Sequence, residues 1–147
     1  MEANHKDTKD TKEKDKKVLT EHEKSSDGKP ISYKIIGAAI EVHRTLGAGL
    51  LESVYEDALC IELDLQNIKY ERQKLIELEY KGRRISNLVP DLIVENSVIV
   101  ELKSVQTLEQ IHTAQVLTYL KLTNLRTGLL INFNVRYLRQ GIKRVVN

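Results

Sequence analysis

One cysteine, Cys60, is all the chain contains, so neither an internal disulfide nor a cysteine-based zinc site can form. No apolar run approaches the length of a membrane span, and no charged-then-apolar leader opens the chain. A cytoplasmic protein without membrane contact is therefore expected. Charge of neither sign prevails: 23 Lys and Arg stand against 21 Asp and Glu, a formal balance of +2 that permits nucleic acid as a partner without demanding it. Internal repeats are lacking, as is any obvious DNA-reading element such as a recognition helix or a basic arm. What is present is 147 residues, 41% hydrophobic and 30% charged, enough for one domain with a real core and too few for two.

Residues 1–29 read as a disordered charged tail in which acidic and basic residues balance, closed by Ser25-Ser26-Asp27-Gly28. Residues 30–147 form the expected domain. Pro30 suits the first turn of a helix that runs to about Leu46, with Ile35, Ile36, Ala39, Ile40, His43 and Leu46 on one stripe. Gly47-Ala48-Gly49 stops it, because glycine tolerates the left-handed cap. A second helix is expected from about Leu51 to Gln66, its apolar faces supplied by Leu51, Val54, Ala58, Ile61, Leu63 and Leu65. Glu52 falls near its start, where a carboxylate is electrostatically favoured, one turn from Tyr55.

From Ile68 the period shortens. Residues 69–80 alternate as strand, Lys81-Gly82 reads as a turn, and Arg72, Lys74, Lys81, Arg83 and Arg84 concentrate positive charge that either tracks a phosphate backbone or protects a strand edge. A third helix spans about Leu108 to Thr123. His112, Gln115 and Tyr119 line one of its faces. Residues 127–133 and 138–146 read as two further strands.

The chemistry concentrates in residues 88–104. Two β-branched runs flank Glu95-Asn96-Ser97, which predicts a β-hairpin. Alternation puts Glu101 and Lys103 on one face and Val100 and Leu102 on the other. A three-residue loop at 95–97 would set Asp91 opposite Glu101, whereas a two-residue loop would pair Asp91 with Val100. With the odd loop, two carboxylates on neighbouring strands offer hard oxygen ligands to Mg²⁺, and a lysine reaches the same place. The plainer alternative is a half-exposed strand whose Glu and Lys serve solubility.

Three pieces together resemble the PD-(D/E)xK nuclease superfamily and, more narrowly, its GxxExxY family, over residues 30–147. They are Gly49-Leu50-Leu51-Glu52-Ser53-Val54-Tyr55, then Pro90-Asp91 with Glu101-Leu102-Lys103, then Gln115-Val116-Leu117-Thr118-Tyr119. The resemblance implies an α/β fold, a central mixed sheet of four or five strands flanked on both faces by helices in the order α-α-β-β-β-α-β. It implies a Mg²⁺- or Mn²⁺-dependent hydrolysis of DNA phosphodiester bonds. Asp91, Glu101, the Leu102 backbone oxygen and Glu52 would be metal ligands, with His43 a further candidate. Lys103 would be the catalytic lysine beside those acids, and Gln115, Tyr119 and Tyr55 would touch substrate or brace the site. Ala48 stands where relatives often carry proline. A non-catalytic module that keeps the fold and binds nucleic acid or a protein is the competing expectation, and a homodimer would enlarge a groove that one small domain offers only in part.

Overall fold

The computed structural model describes residues 23–147. Its helices are α1 (Ile31–Leu46), α2 (Glu52–Leu65) and α3 (Gln110–Thr123). Its strands are β1 (Tyr70–Arg72), β2 (Ile76–Tyr80), β3 (Arg83–Leu88), β4 (Leu92–Val94), β5 (Val98–Lys103), β6 (Thr127–Asn132) and β7 (Ile142–Val146). Five strands form one sheet in the order β1-β4-β5-β6-β7, and β2 pairs with β3 as a separate two-stranded ribbon. The central pair β5 and β6 runs parallel and their outer neighbours antiparallel, so the sheet is mixed.

Alternation along β5 builds the layers. Val98, Val100 and Leu102 turn toward α1 and α2, where they join Ile35, Val42, Tyr55, Leu59 and Leu63. Ile99 faces the other way with Ile93 and Leu130, against Val116, Tyr119 and Leu120 of α3. The result is an α/β domain with helices on both faces of the sheet, as the resemblance implies. A parallel pair needs a crossover, and α3 supplies it between β5 and β6.

Several local expectations are corrected. On α1 the buried stripe is Ile31, Ile35, Ala38, Ala39 and Val42, while Ile40 and Leu46 are exposed. On α2 the buried face is Tyr55, Glu56, Leu59, Cys60 and Leu63, so Leu51, Val54, Ile61 and Leu65 point outward. The expected strand at 69–80 breaks at Gln73, whose φ of 52° turns the chain from β1 into the ribbon. Residues 138–141 form a 3₁₀ turn before β7, so the last strand is shorter than its apolar run suggests. Helix α3 starts at Gln110 because Glu109 and His112 close a reciprocal cap, the Glu109 N–H donating to His112 Nδ1 at 3.0 Å.

Most of the expected tail lies outside the described residues. Residues 23–29 lie against the domain: Glu23 is buried and accepts a hydrogen bond from Thr127 Oγ1 at 2.9 Å, and Asp27 pairs with Lys34 at 2.9 Å.

Candidate metal centre and active site

The turn between β4 and β5 settles the register. Glu95 and Asn96 both take positive φ, 51° and 53°, and the Ser97 N–H donates to the Val94 carbonyl at 3.0 Å. Val94 pairs with Val98 and Leu92 with Val100, so residues 95–97 form a three-residue loop and the next pair in line is Asp91 with Glu101. The two acids are linked through the backbone. The Asp91 N–H donates to Glu101 Oε1 at 2.7 Å, and the Leu102 N–H donates to Asp91 Oδ2 at 2.8 Å.

Pro90 contributes by what it lacks. The Lys103 carbonyl accepts from the Phe133 N–H on the β6 side at 2.9 Å, so the N–H and carbonyl of Leu102, one residue earlier, point to the β4 side. The register places Pro90 opposite Leu102 there, and proline has no N–H to give. The Leu102 carbonyl therefore meets no ladder donor from Pro90 and is directed toward the same end of the sheet as the two acids.

Glu101 is only 4% exposed, and its carboxyl is pushed up to about 8 by burial first and then by the charge of Asp91. Hydrogen bonding by the Asp91 N–H and the charge of Lys103 oppose that rise, and Glu52 adds to it. Burial likewise pushes Asp91 up, the Leu102 N–H pulls it down, and the negative charges of Glu56 and Glu52 raise it. Two carboxyls facing each other, each made harder to ionise by burial and by neighbouring negative charge, favour a cation. Among the described residues no three His, Cys, Asp or Glu side chains converge as a ready-made cage. Mg²⁺ does not require one, since it takes one or two carboxylates, keeps several waters and accepts phosphate oxygen. Asp91, Glu101 and the Leu102 carbonyl make a donor set of that kind.

The other expected residues approach from helices on opposite faces. Glu52 is the first residue of α2, exposed, and close enough for its charge to act on both Asp91 and Glu101. From α3, the phenol of Tyr119 lies in the field of Glu101 and Asp91, which raise its ionisation, and beside Gln115, which lowers it. Its ionisation is pushed up to about 12 by burial and those two charges, so it stays a neutral donor. Lys103 is half-buried at the end of β5, on the same strand face as Glu101.

Tyr55 and His43 sit apart from this cluster. Tyr55 is fully buried and stacks on Phe133 with centroids 4.4 Å apart. Its hydroxyl donates to the Gly47 carbonyl at 2.6 Å and accepts from the Leu50 N–H at 3.1 Å, bracing the glycine turn that leads into Glu52. Glycine is required on both sides of Ala48, since Gly47 and Gly49 have φ of 74° and 93°. His43 Nε2 lies 2.7 Å from the Val135 carbonyl, and the ring lines a separate cavity beside Gly47 and Ala48.

Sequence reasoning missed Glu56 and Gln73. Glu56 lies one turn beyond Glu52 on α2, so the four-residue spacing of the two acids was an available signal. Arg72 grips Glu56 Oε2 through Nε and Nη2 at 3.1 and 2.7 Å and also reaches Asp57 at 2.7 Å. Gln73 Nε2 bridges Glu56 Oε1 at 3.0 Å and Asp91 Oδ1 at 3.3 Å, tying helix to hairpin. Nothing in the sequence announced Gln73, because the bridge depends on its left-handed backbone.

The family model described as the PD-(D/E)XK nuclease superfamily matches residues 29–145. No curated protein and no solved structure gives a significant match.

Proposed function

The chain belongs to the PD-(D/E)XK nuclease superfamily, and on that premise we propose that it is a Mg²⁺- or Mn²⁺-dependent deoxyribonuclease of the GxxExxY type. The observation that carries the proposal is Asp91 set against Glu101 across the hairpin, beside a Leu102 carbonyl that Pro90 cannot cap. Asp91, Glu101 and that carbonyl would hold the cation, with Glu52 reaching it directly or through water. A bound divalent ion supplies positive charge at the phosphoryl group and makes water a better nucleophile.

The remaining work falls to side chains of this chain. Lys103 orients the attacking water and offsets the charge that builds on the phosphoryl oxygens. The water oxygen bonds to phosphorus, the bond from phosphorus to one sugar oxygen breaks, and a phosphate monoester and an alcohol result. Tyr119, kept neutral, donates to a phosphate oxygen, and Gln115, one turn before it on α3, offers a second polar contact to substrate. Tyr55 acts at one remove, fixing the turn from which α2 presents Glu52.

The test is cleavage of single- and double-stranded DNA in Mg²⁺ or Mn²⁺ by the wild type, Asp91→Asn and Lys103→Ala. Metal-dependent cleavage lost in both variants supports the proposal. Equal residual cleavage by all three marks a contaminant and removes it. A second reading, a binding module without catalysis, is favoured by one feature: both Asp91 oxygens and one Glu101 oxygen already accept hydrogen bonds within the protein. DNA binding indifferent to metal, with no cleavage by the wild type, would select it.

A further inference from the structure

His43 opens onto a cavity of about 580 Å³ that runs between the C-terminal end of α1, the Gly47-Ala48 turn and residues 135–139. Three arginines, Arg44, Arg136 and Arg139, contribute to its lining, and the Arg136 guanidinium lies 5.3 Å from the centre of the Tyr137 ring, which also lines it. Arg44 is engaged by Glu41, with contacts of 2.7 and 3.0 Å. Arg136 and Arg139 are exposed, and among the described residues neither forms an ion pair. The cavity therefore carries uncompensated positive charge.

Both of its walls are tied to the candidate active site. On one side, the Phe133 N–H holds the carbonyl of Lys103 at 2.9 Å, and Val135 follows two residues later. Two residues span at most about 7 Å, so this wall of the cavity begins close to the end of β5. On the other side, Tyr55 holds Gly47, and Ser104 Oγ donates to the Leu50 carbonyl at 2.6 Å, so the turn bearing Gly47 and Ala48 is fastened to the end of β5. The cavity and the acid pair thus lie at one end of the sheet.

Several of the other cations already have acidic partners. Arg72 pairs with Glu56 and Asp57, Lys74 with Glu71, and Arg84 with Glu77. The acid cluster itself repels phosphate until a cation is bound. We propose that the cavity lined by Arg136 and Arg139 binds a backbone phosphate of the nucleic acid close to the one that is cleaved. The proposal rests on the nuclease reading for its substrate, while the contact itself is electrostatic and needs no metal.

The experiment measures anisotropy of a fluorescently labelled DNA duplex in metal-free buffer over a range of salt concentrations. Arg136→Ala/Arg139→Ala weakens binding about tenfold and lowers the slope of log affinity against log salt by about 1 to 2, as expected for the loss of one or two phosphate contacts. Arg136→Lys/Arg139→Lys retains most of the slope. Calorimetric Mn²⁺ affinity and the circular dichroism of both variants match the wild type, which separates a lost contact from a lost fold. An alanine variant that keeps wild-type affinity and slope overturns the proposal, as does a wild type that shows no salt-dependent binding. Weakened binding by the alanine variant, with a wild type that leaves DNA uncut in Mn²⁺, keeps the cavity and removes the nuclease reading. A wild type that cuts, with an unchanged alanine variant, does the reverse.

Discussion

Gln73 and Asp91 are joined twice, by the Gln73 N–H to the Asp91 carbonyl at 3.0 Å and by Gln73 Nε2 to Asp91 Oδ1 at 3.3 Å. The same amide nitrogen holds Glu56 at 3.0 Å, and Glu56 is in turn held by Arg72. Orientation of Asp91 thus depends on a group that would not itself bind the cation. Gln73→Ala should weaken Mn²⁺ binding by about tenfold or more, the usual cost of removing a group that orients a metal ligand. Titration calorimetry checks it, and an unchanged dissociation constant would show that the amide bridge is idle.

The proton that folding retains on Glu101 should make the metal-free protein less stable as pH rises. The carboxyl is raised from 4.5 to about 8 in the folded chain, by burial and by Asp91. Below about pH 4.5 folded and unfolded chains both carry the proton; between there and about pH 8 the folded chain retains it and the unfolded chain does not. Stability contributed by the bound proton is therefore lost across that interval and levels off above it. Urea denaturation in chelator at pH 5 and pH 8 should show a difference on the order of a few kcal/mol that shrinks in Glu101→Gln. Parallel pH profiles for the two proteins would contradict the buried-acid account.

Substitution of Lys103 should separate catalysis from metal binding. Lys103→Met removes the ammonium while keeping an unbranched apolar stem at a half-buried position. Cleavage should fall by about 100-fold or more, in line with loss of one charge-stabilising donor, with Mn²⁺ affinity little changed. Rate measurements on a labelled duplex beside calorimetry read both quantities. Loss of Mn²⁺ binding in step with activity would instead make Lys103 part of the site's architecture.

Tyr55→Phe keeps the stack on Phe133 and removes two hydrogen bonds, to Gly47 and from Leu50. A loss of about 2 kcal/mol is expected, because the Gly47 carbonyl and Leu50 N–H lose their partner. Chemical denaturation measures it. An unaltered stability would mean that water replaces the hydroxyl.

Much of the hairpin is legible in the sequence, since two β-branched runs around Glu95-Asn96-Ser97 leave few registers, and the one with Asp91 opposite Glu101 is observed. Layer order is legible for the same reason: the apolar strands have two faces to cover. Helix α2 is harder to read. Leu51, Val54, Ala58, Ile61 and Leu65 make a regular apolar stripe, yet Leu51, Ile61 and Leu65 are 74, 59 and 72% exposed. The buried face is Tyr55, Leu59 and Leu63, at equally good helical spacing, so periodicity alone could not choose between them. Gln73 is out of reach for a different reason. Its contribution comes from a left-handed backbone at a strand end, and glutamine is no marker of such a conformation.

The Tyr55 clamp on the glycine turn makes one rigid piece of two features that sequence distance keeps apart. The turn forms a wall of the arginine cavity and leads, within five residues, to the acid at the head of α2. With a phosphate held in the cavity and cleavage directed by the acids, as proposed, this turn would set the spacing between grip and cut. Variation in it would then shift where along a strand the cut falls, leaving the chemistry of the cut itself untouched.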